Sequence, residues 1–184
     1  MNQTHSLAPA RLMAFAIILV GIAADQLSKI WVLANLPGRP RTIIEGALSF
    51  VYAENRNMAF GLGESISPSI KAWGLILLTS SLALGLLVWI WRLGASDWKF
   101  RVCLSLIASG AIGNIIDRVR LGFVVDFIYW HGGFTWPNFN VADSFICVGA
   151  ALMFIFSFQQ DIAQRRASKP ASAPTPDGSS GTKP

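Results

Sequence analysis

Leu12-Met13-Ala14-Phe15-Ala16-Ile17-Ile18-Leu19-Val20-Gly21-Ile22-Ala23-Ala24-Asp25-Gln26-Leu27-Ser28-Lys29-Ile30-Trp31-Val32-Leu33-Ala34-Asn35-Leu36 is the stretch whose reading decides the fold. About 20 apolar residues in a row cross a bilayer as a helix, and this run is long enough. A cleaved leader is the competing reading, with Arg11 ahead of the apolar run and Ala23-Ala24 as small cleavage residues. The apolar character resumes after Lys29, which favours a span. Asp25 and Lys29 then stand inside it, i and i+4 on one helix face. A charge at membrane depth is costly, so an intramembrane acid marks a functional site by default. The plainer alternative is an ion pair that compensates itself.

Three further runs of the same kind follow, about Ile70 to Trp91, Val102 to Val119 and Val141 to Phe158. Composition agrees: 53% of residues are hydrophobic and only 14% charged, which points away from a soluble domain. The net charge of +5 is read as loop charge that orients the chain and meets anionic lipid, with no nucleic-acid partner. Cys103 and Cys147 lie in apolar runs at no metal spacing and read as buried free thiols. His5 and His131 are far apart, so a zinc site has almost no histidine to draw on. No cofactor and no metal is expected. The small residues Ser109, Gly110, Ala111 and Gly113, with Gly149 and Ala150, are expected to let helices approach closely.

The fold class expected is therefore membrane all-α: four transmembrane helices, spanning about 12–36, 70–91, 102–119 and 141–158, with a small extracytoplasmic β-rich loop domain. The β-rich part is Thr42-Ile43-Ile44 and Leu48-Ser49-Phe50-Val51-Tyr52, β-branched and aromatic runs separated by Glu45-Gly46. The segment from Gly122 to Asn140 is rich in Phe, Tyr and Trp and reads as an interfacial aromatic stretch. Residues 1–166 read as one four-helix transmembrane domain, and 167–184, rich in Ser, Pro, Gly and Ala, read as a disordered cytoplasmic tail. Arg92, Lys99 and Arg101 lie between the second and third spans, and Arg165 and Arg166 follow the fourth. Positive residues favour the inside, so both termini are expected in the cytoplasm; Arg39, Arg41 and Arg56 in the first connecting loop oppose this.

With that orientation four acids gather near the outer face. Asp25 is late in the first span, Asp117 late in the third, Asp143 early in the fourth, and Asp126 lies in the outer loop between the last two. Asn114, Asp117 and Arg118 share one face of the third span. Asn140 precedes Asp143 by one turn at a helix start, where a cap and a negative charge are both favoured. Two carboxylates sharing one site split their pKa values, one serving as general base toward water and the other as general acid.

Five motifs run in order along these spans: Asp25-Gln26-x-Ser28-Lys29, Asn55-x-x-x-Ala59-Phe60, Gly113-Asn114-x-x-Asp117-Arg118, Val125-Asp126-Phe127-Ile128 and Phe139-Asn140-x-Ala142-Asp143-Ser144. Together they resemble the lipoprotein signal peptidases, the type II signal peptidases of bacteria. The resemblance implies an inner-membrane aspartyl endopeptidase that removes the signal peptide from diacylglyceryl-modified prolipoproteins, cutting on the N-terminal side of the lipid-modified cysteine. It implies Asp126 and Asp143 as the catalytic pair. Asp25, Lys29, Asn114, Arg118 and Asn140 are implied as residues around that pair, and Asn55 as a polar residue of the outer loop. Asp117 is read as structural, paired with a basic group. Prolipoprotein substrates, membrane lipid and a monomeric state are implied with it. Asn57 stands where the family usually has Gly; Asn also tolerates left-handed backbone.

Two readings from other classes compete. A proton-coupled transporter also uses intramembrane acids beside Lys or Arg, but no internal repeat is evident. In a non-enzymatic scaffold the polar residues would only join helices.

Overall fold

Four long helices form in the computed structural model, which describes residues 7–56 and 67–167. They are α1 (Leu7–Asn35), α2 (Pro68–Arg92), α3 (Trp98–Leu121) and α4 (Val141–Ala167). All four are long and apolar enough to cross a membrane. Each runs a few residues past the apolar stretch that marks it in sequence, because polar residues at the ends extend the helix into the interface. The segment read as a tail, and residue 57 with its neighbours, lie outside the described residues.

The bundle is apolar on its outer surface. Leu12, Val20, Leu77 and Phe154 are more than half exposed, which only lipid makes favourable. Association in lipid depends on close packing, and α3 supplies it by lying against α1, α2 and α4. Gly110 lets the Ala142 carbonyl of α4 approach, and Gly113 faces the Asp25 carboxylate of α1; a Cβ at either would collide. Gly21 meets Ser109 in the same way, and Gly149 meets the Cys103 carbonyl. Ala150, expected to help, instead faces outward. Of the two thiols only Cys103 is buried, whereas Cys147 is exposed on α4.

The β-rich part has three strands: β1 (Arg41–Ile44), β2 (Leu48–Asn55) and β3 (Val124–Trp130), antiparallel in that order. β3 is the largest departure from the sequence reading. Residues 122–140 were expected as an interfacial aromatic stretch with Asp126 in a loop; seven of them form a strand against β2. Gly122 makes this happen. It ends α3 in the left-handed region, at φ 80°, with its N–H on the Arg118 carbonyl at 3.1 Å. Only a residue without Cβ takes that φ at little cost, so the chain reverses at once into β3. Val125 and Phe127 then bury themselves against Val32 of α1 and Leu36 just beyond it, and Phe127 meets Phe50 edge to face at 5.6 Å. The sheet thus sits where α1 and α3 end and where α4 begins.

The chain returns from β3 through a left-handed Gly133, at φ 77°. Phe139 rejoins the strand: its carbonyl accepts from Phe127 N and Ile128 N at 3.0 and 2.8 Å, and its N–H donates to the Ile128 carbonyl at 3.1 Å. That pairing sets Asn140, the next residue, beside Asp126 and starts α4 there.

Candidate active site

Four carboxylates and one ammonium meet at this end of the bundle. Lys29 is almost wholly buried, and each of its donors is used. Its Nζ lies 2.9 Å from Asp25 Oδ2, 3.0 Å from Asp117 Oδ2 and 3.0 Å from Asn114 Oδ1. The helical spacing of Asp25 and Lys29 provides the first contact, and the packing of α1 on α3 provides the others.

Asp25 and Asp117 are saturated. Asp25 Oδ1 accepts the Ala142 N–H at 2.9 Å, one of the amides left free at the start of α4. Asp117 Oδ2 accepts the Val125 N–H at 3.0 Å and so ties the start of β3 to the end of α3. Gln26 Nε2 stands 3.1 Å from Asp25 Oδ2, from Asp117 Oδ1 and from the Gly113 carbonyl. A charge this deep is stable only when its remaining lone pairs are also satisfied, and here they are. Asp117 is paired with a basic group, Lys29, as the sequence suggests. Gln26 is the member whose role sequence reasoning missed. It stands in a quoted motif, but an amide beside Asp25 carries no signal of a partner 91 residues away.

Asp126 and Asp143 are held differently. Asp126 accepts the Asn55 amide on Oδ2 at 3.0 Å and the Asn140 amide on Oδ1 at 2.7 Å. Asp143 accepts the Asn114 amide on Oδ1 at 2.8 Å and the Asn140 backbone N–H on Oδ2 at 3.2 Å. Asn140 Oδ1 accepts the Asp143 N–H at 2.9 Å, which closes a reciprocal cap on α4. Asn140 thus does two things at once: its Oδ1 caps the helix while its Nδ2 faces Asp126 and, at 3.2 Å, Asn114 Oδ1. Asn114 in turn links Lys29 to Asp143. Arg118, one turn on, donates to the Asn114 carbonyl at 3.3 Å and feels the charges of Asp143, Asp126 and Asp117. Asn55 reaches the site from the end of β2; its neighbour Arg56 turns away to Glu54, at 2.6 Å, and over the Phe123 ring.

Burial pushes the Asp126 carboxyl up to about 6. The Asn55 amide opposes this, the negative Asp143 adds to it, and the Asn140 amide and Lys29 oppose it. Asp143 opens α4, where a helix favours negative charge.

The model of the signal peptidase (SPase) II family matches residues 17–159. The chain belongs to that family. The match takes in every acid of the cluster, from Asp25 to Asp143. The lipoprotein signal peptidase of Xanthomonas campestris pv. campestris strain 8004 is 38% identical over 165 residues, covering 86% of this chain and 96% of that protein. The lipoprotein signal peptidase of Syntrophomonas wolfei is 41% identical over 140 residues, covering 74% of this chain and 87% of the relative. A bacterial membrane enzyme solved by the in meso method at 2.3 Å is 26% identical with a TM-score of 0.70, covering 94% of this chain and 99% of its own. The signal peptidase II family, like the spans, makes this a multi-pass bacterial membrane protein of four helices and a small sheet.

Proposed function

We propose that this chain removes the signal peptide from diacylglyceryl-modified prolipoproteins as a membrane aspartyl endopeptidase, with Asp126 and Asp143 as its catalytic pair. The observation that carries the assignment is the division among the four acids. Asp25 and Asp117 are bound to Lys29, while among the described residues Asp126 and Asp143 accept hydrogen bonds from amides and form no ion pair.

The roles follow from environment. Asp143, at a helix N-terminus, acts as general base and takes a proton from the attacking water. Asp126, raised to about 6 by burial, gives its proton to the carbonyl oxygen. As the tetrahedral intermediate collapses, Asp143 passes the water proton to the leaving amide nitrogen, and Asp126 takes back the proton of the hydroxyl that becomes the new carbonyl. Asn114 and Asn140 hold the two carboxyls in register. Asn55 orients Asp126, and Arg118 offsets negative charge as the tetrahedral intermediate forms.

The substrate comes laterally from lipid. α2 leans on α3 without comparable contact to α4, leaving a groove of about 730 Å³ that runs from Trp89 and Leu82 to Asn114 and Arg118. A signal helix fits that gap, with its end at the carboxylates. Arg11, Arg92, Lys99, Arg101 and Arg165 mark the opposite end of the bundle, which we place in the cytoplasm with both termini. The site then faces the outer surface.

The test compares one prolipoprotein peptide with and without its diacylglyceryl group, at equal membrane concentration. The lipidated form should be cut far faster, on the N-terminal side of the modified cysteine. Equal rates would leave only a general intramembrane peptidase.

A further inference from the structure

Two hollows open on the carboxylate cluster, and they share no lining residue. The first is the groove between α2 and α4, which ends at Asn114 and Arg118 and includes Ile146 of α4. The second, of about 460 Å³, lies between α4 and the strap that follows β3; Trp136, Phe139, Asp143, Ser144, Cys147 and Val148 line it. Asp143 and Cys147 stand one turn apart on a single helix face. The second hollow therefore begins at the carboxylate and runs one turn down α4, toward the bilayer. The start of α4, with Asp143 on it, divides the two.

We propose that the second hollow seats an acyl chain of the substrate's diacylglyceryl group, while the signal helix occupies the first. The proposal rests on the lipoprotein-peptidase reading. A cut on the N-terminal side of the lipidated cysteine leaves the signal helix on one side of the scissile bond and the lipid on the other. A peptide whose scissile bond lies at Asp143 then has one hollow for each part. Their chemistry separates them. The first ends at the Arg118 guanidinium, a cation able to meet peptide carbonyls, while its Thr79 and Ser81 hydroxyls are spent on the Leu75 and Leu77 carbonyls. The second holds no cation to meet a headgroup, and the Ser144 hydroxyl is spent on the Asn140 carbonyl at 3.0 Å. Its remaining walls are mainly aromatic and aliphatic, and hydrocarbon is the part of this substrate that matches them. Val148 is 50% exposed and Trp136 55%, so the hollow is open to the side from which the lipid arrives.

The experiment uses the full-length protein in nanodiscs and a prolipoprotein peptide carrying a diazirine on its acyl chains. Irradiation should attach the chain to Trp136, Phe139, Cys147 or Val148. Attachment to Leu82, Ile107 or other walls of the first groove would overturn the proposal. In steady state, Cys147→Trp and Val148→Trp should raise KM for a long-chain substrate about tenfold, equivalent to roughly 1.4 kcal/mol. Their kcat should stay near wild type, and a short-chain analogue should be much less affected. Phe154→Trp, on the same helix but outside the hollow, should change neither constant. An unchanged KM in both hollow variants would overturn the assignment, even where lipidated peptide is still cut faster than unlipidated, which keeps the function itself separate. Should either variant fail to fold, the crosslinks on the wild-type protein decide.

Discussion

Asp25 and Asp117 touch a cation; Asp126 and Asp143, among the described residues, touch amides alone. The two pairs are built from the same side chain, lie within one polar cluster, and are joined through Asn114. The inner pair surrounds Lys29 and uses its remaining lone pairs on the first amides of α4 and β3. Such carboxylates are fixed in position, and they hold four elements, α1, α3, α4 and β3, together. The outer pair has hydrogen bonds that orient it, with no cation in contact among the described residues. Burial raises the Asp126 carboxyl, which suits it to carry a proton. On the proposed function, stability and chemistry are divided between layers, with one asparagine shared by both.

The largest effect of that division should appear in the inner layer. Lys29→Met leaves two buried carboxylates without compensation, and losing one partner of a buried pair costs about 3–5 kcal/mol. The variant should lose most of its folded population in detergent. Combining it with Asp117→Asn should recover part of the loss. A Lys29→Met protein that melts as wild type would show that the ammonium is not structural.

Asn114→Ala should affect both layers, since it removes the bond between Lys29 and Asp143. Stability should fall by about 1–3 kcal/mol for the unsatisfied groups. Turnover should fall further than that loss explains, measured at a temperature where the variant is still folded.

A smaller effect concerns the pH profile. If Asp126 must be protonated to act as acid, kcat/KM should fall as pH rises through about 6, and an acid limb should mark protonation of the pair. Asn55 donates to the Asp126 carboxylate and favours its charged form. Asn55→Ala should therefore raise the Asp126 pKa and move the basic limb to higher pH. A limb that stays in place or moves down contradicts the role assigned to Asn55. Chelators should leave the whole profile unchanged.

Removing residues 168–184 should have the least effect, because their composition offers little apolar surface to dock. Cleavage rate and melting temperature should both stay near wild type.

Much of this is legible in the residues themselves. Apolar runs of bilayer length reveal the four spans, and helical spacing reveals the Asp25–Lys29 pair. β-branched runs reveal β1 and β2. What stays hidden depends on contacts between distant parts of the chain. Val124–Trp130 carries the aromatics of an interfacial segment, and its partner Leu48–Asn55 lies more than 70 residues earlier; only the left-handed Gly122 and the α1 surface make it a strand. The bond from Lys29 to Asp117 and the bridging by Gln26 likewise need α1 seated on α3. Cys147 reads as buried because its neighbours are apolar, but α4 packs on α3 through a different face.

The division between the layers is tested most directly by replacing each of the four acids with asparagine in turn. Each variant is measured for melting temperature in detergent and for cleavage of a diacylglyceryl prolipoprotein peptide. Asp126→Asn and Asp143→Asn should melt within a few degrees of wild type and lose about 10²–10⁴-fold in turnover, the cost of a missing general acid or base. Their double variant should be no worse, because members of one catalytic unit are not additive. Asp25→Asn and Asp117→Asn should instead lose melting temperature, because the buried Lys29 charge then keeps only one of its two carboxylate partners. Retention of more than about a tenth of wild-type turnover in Asp126→Asn or Asp143→Asn would contradict the assignment.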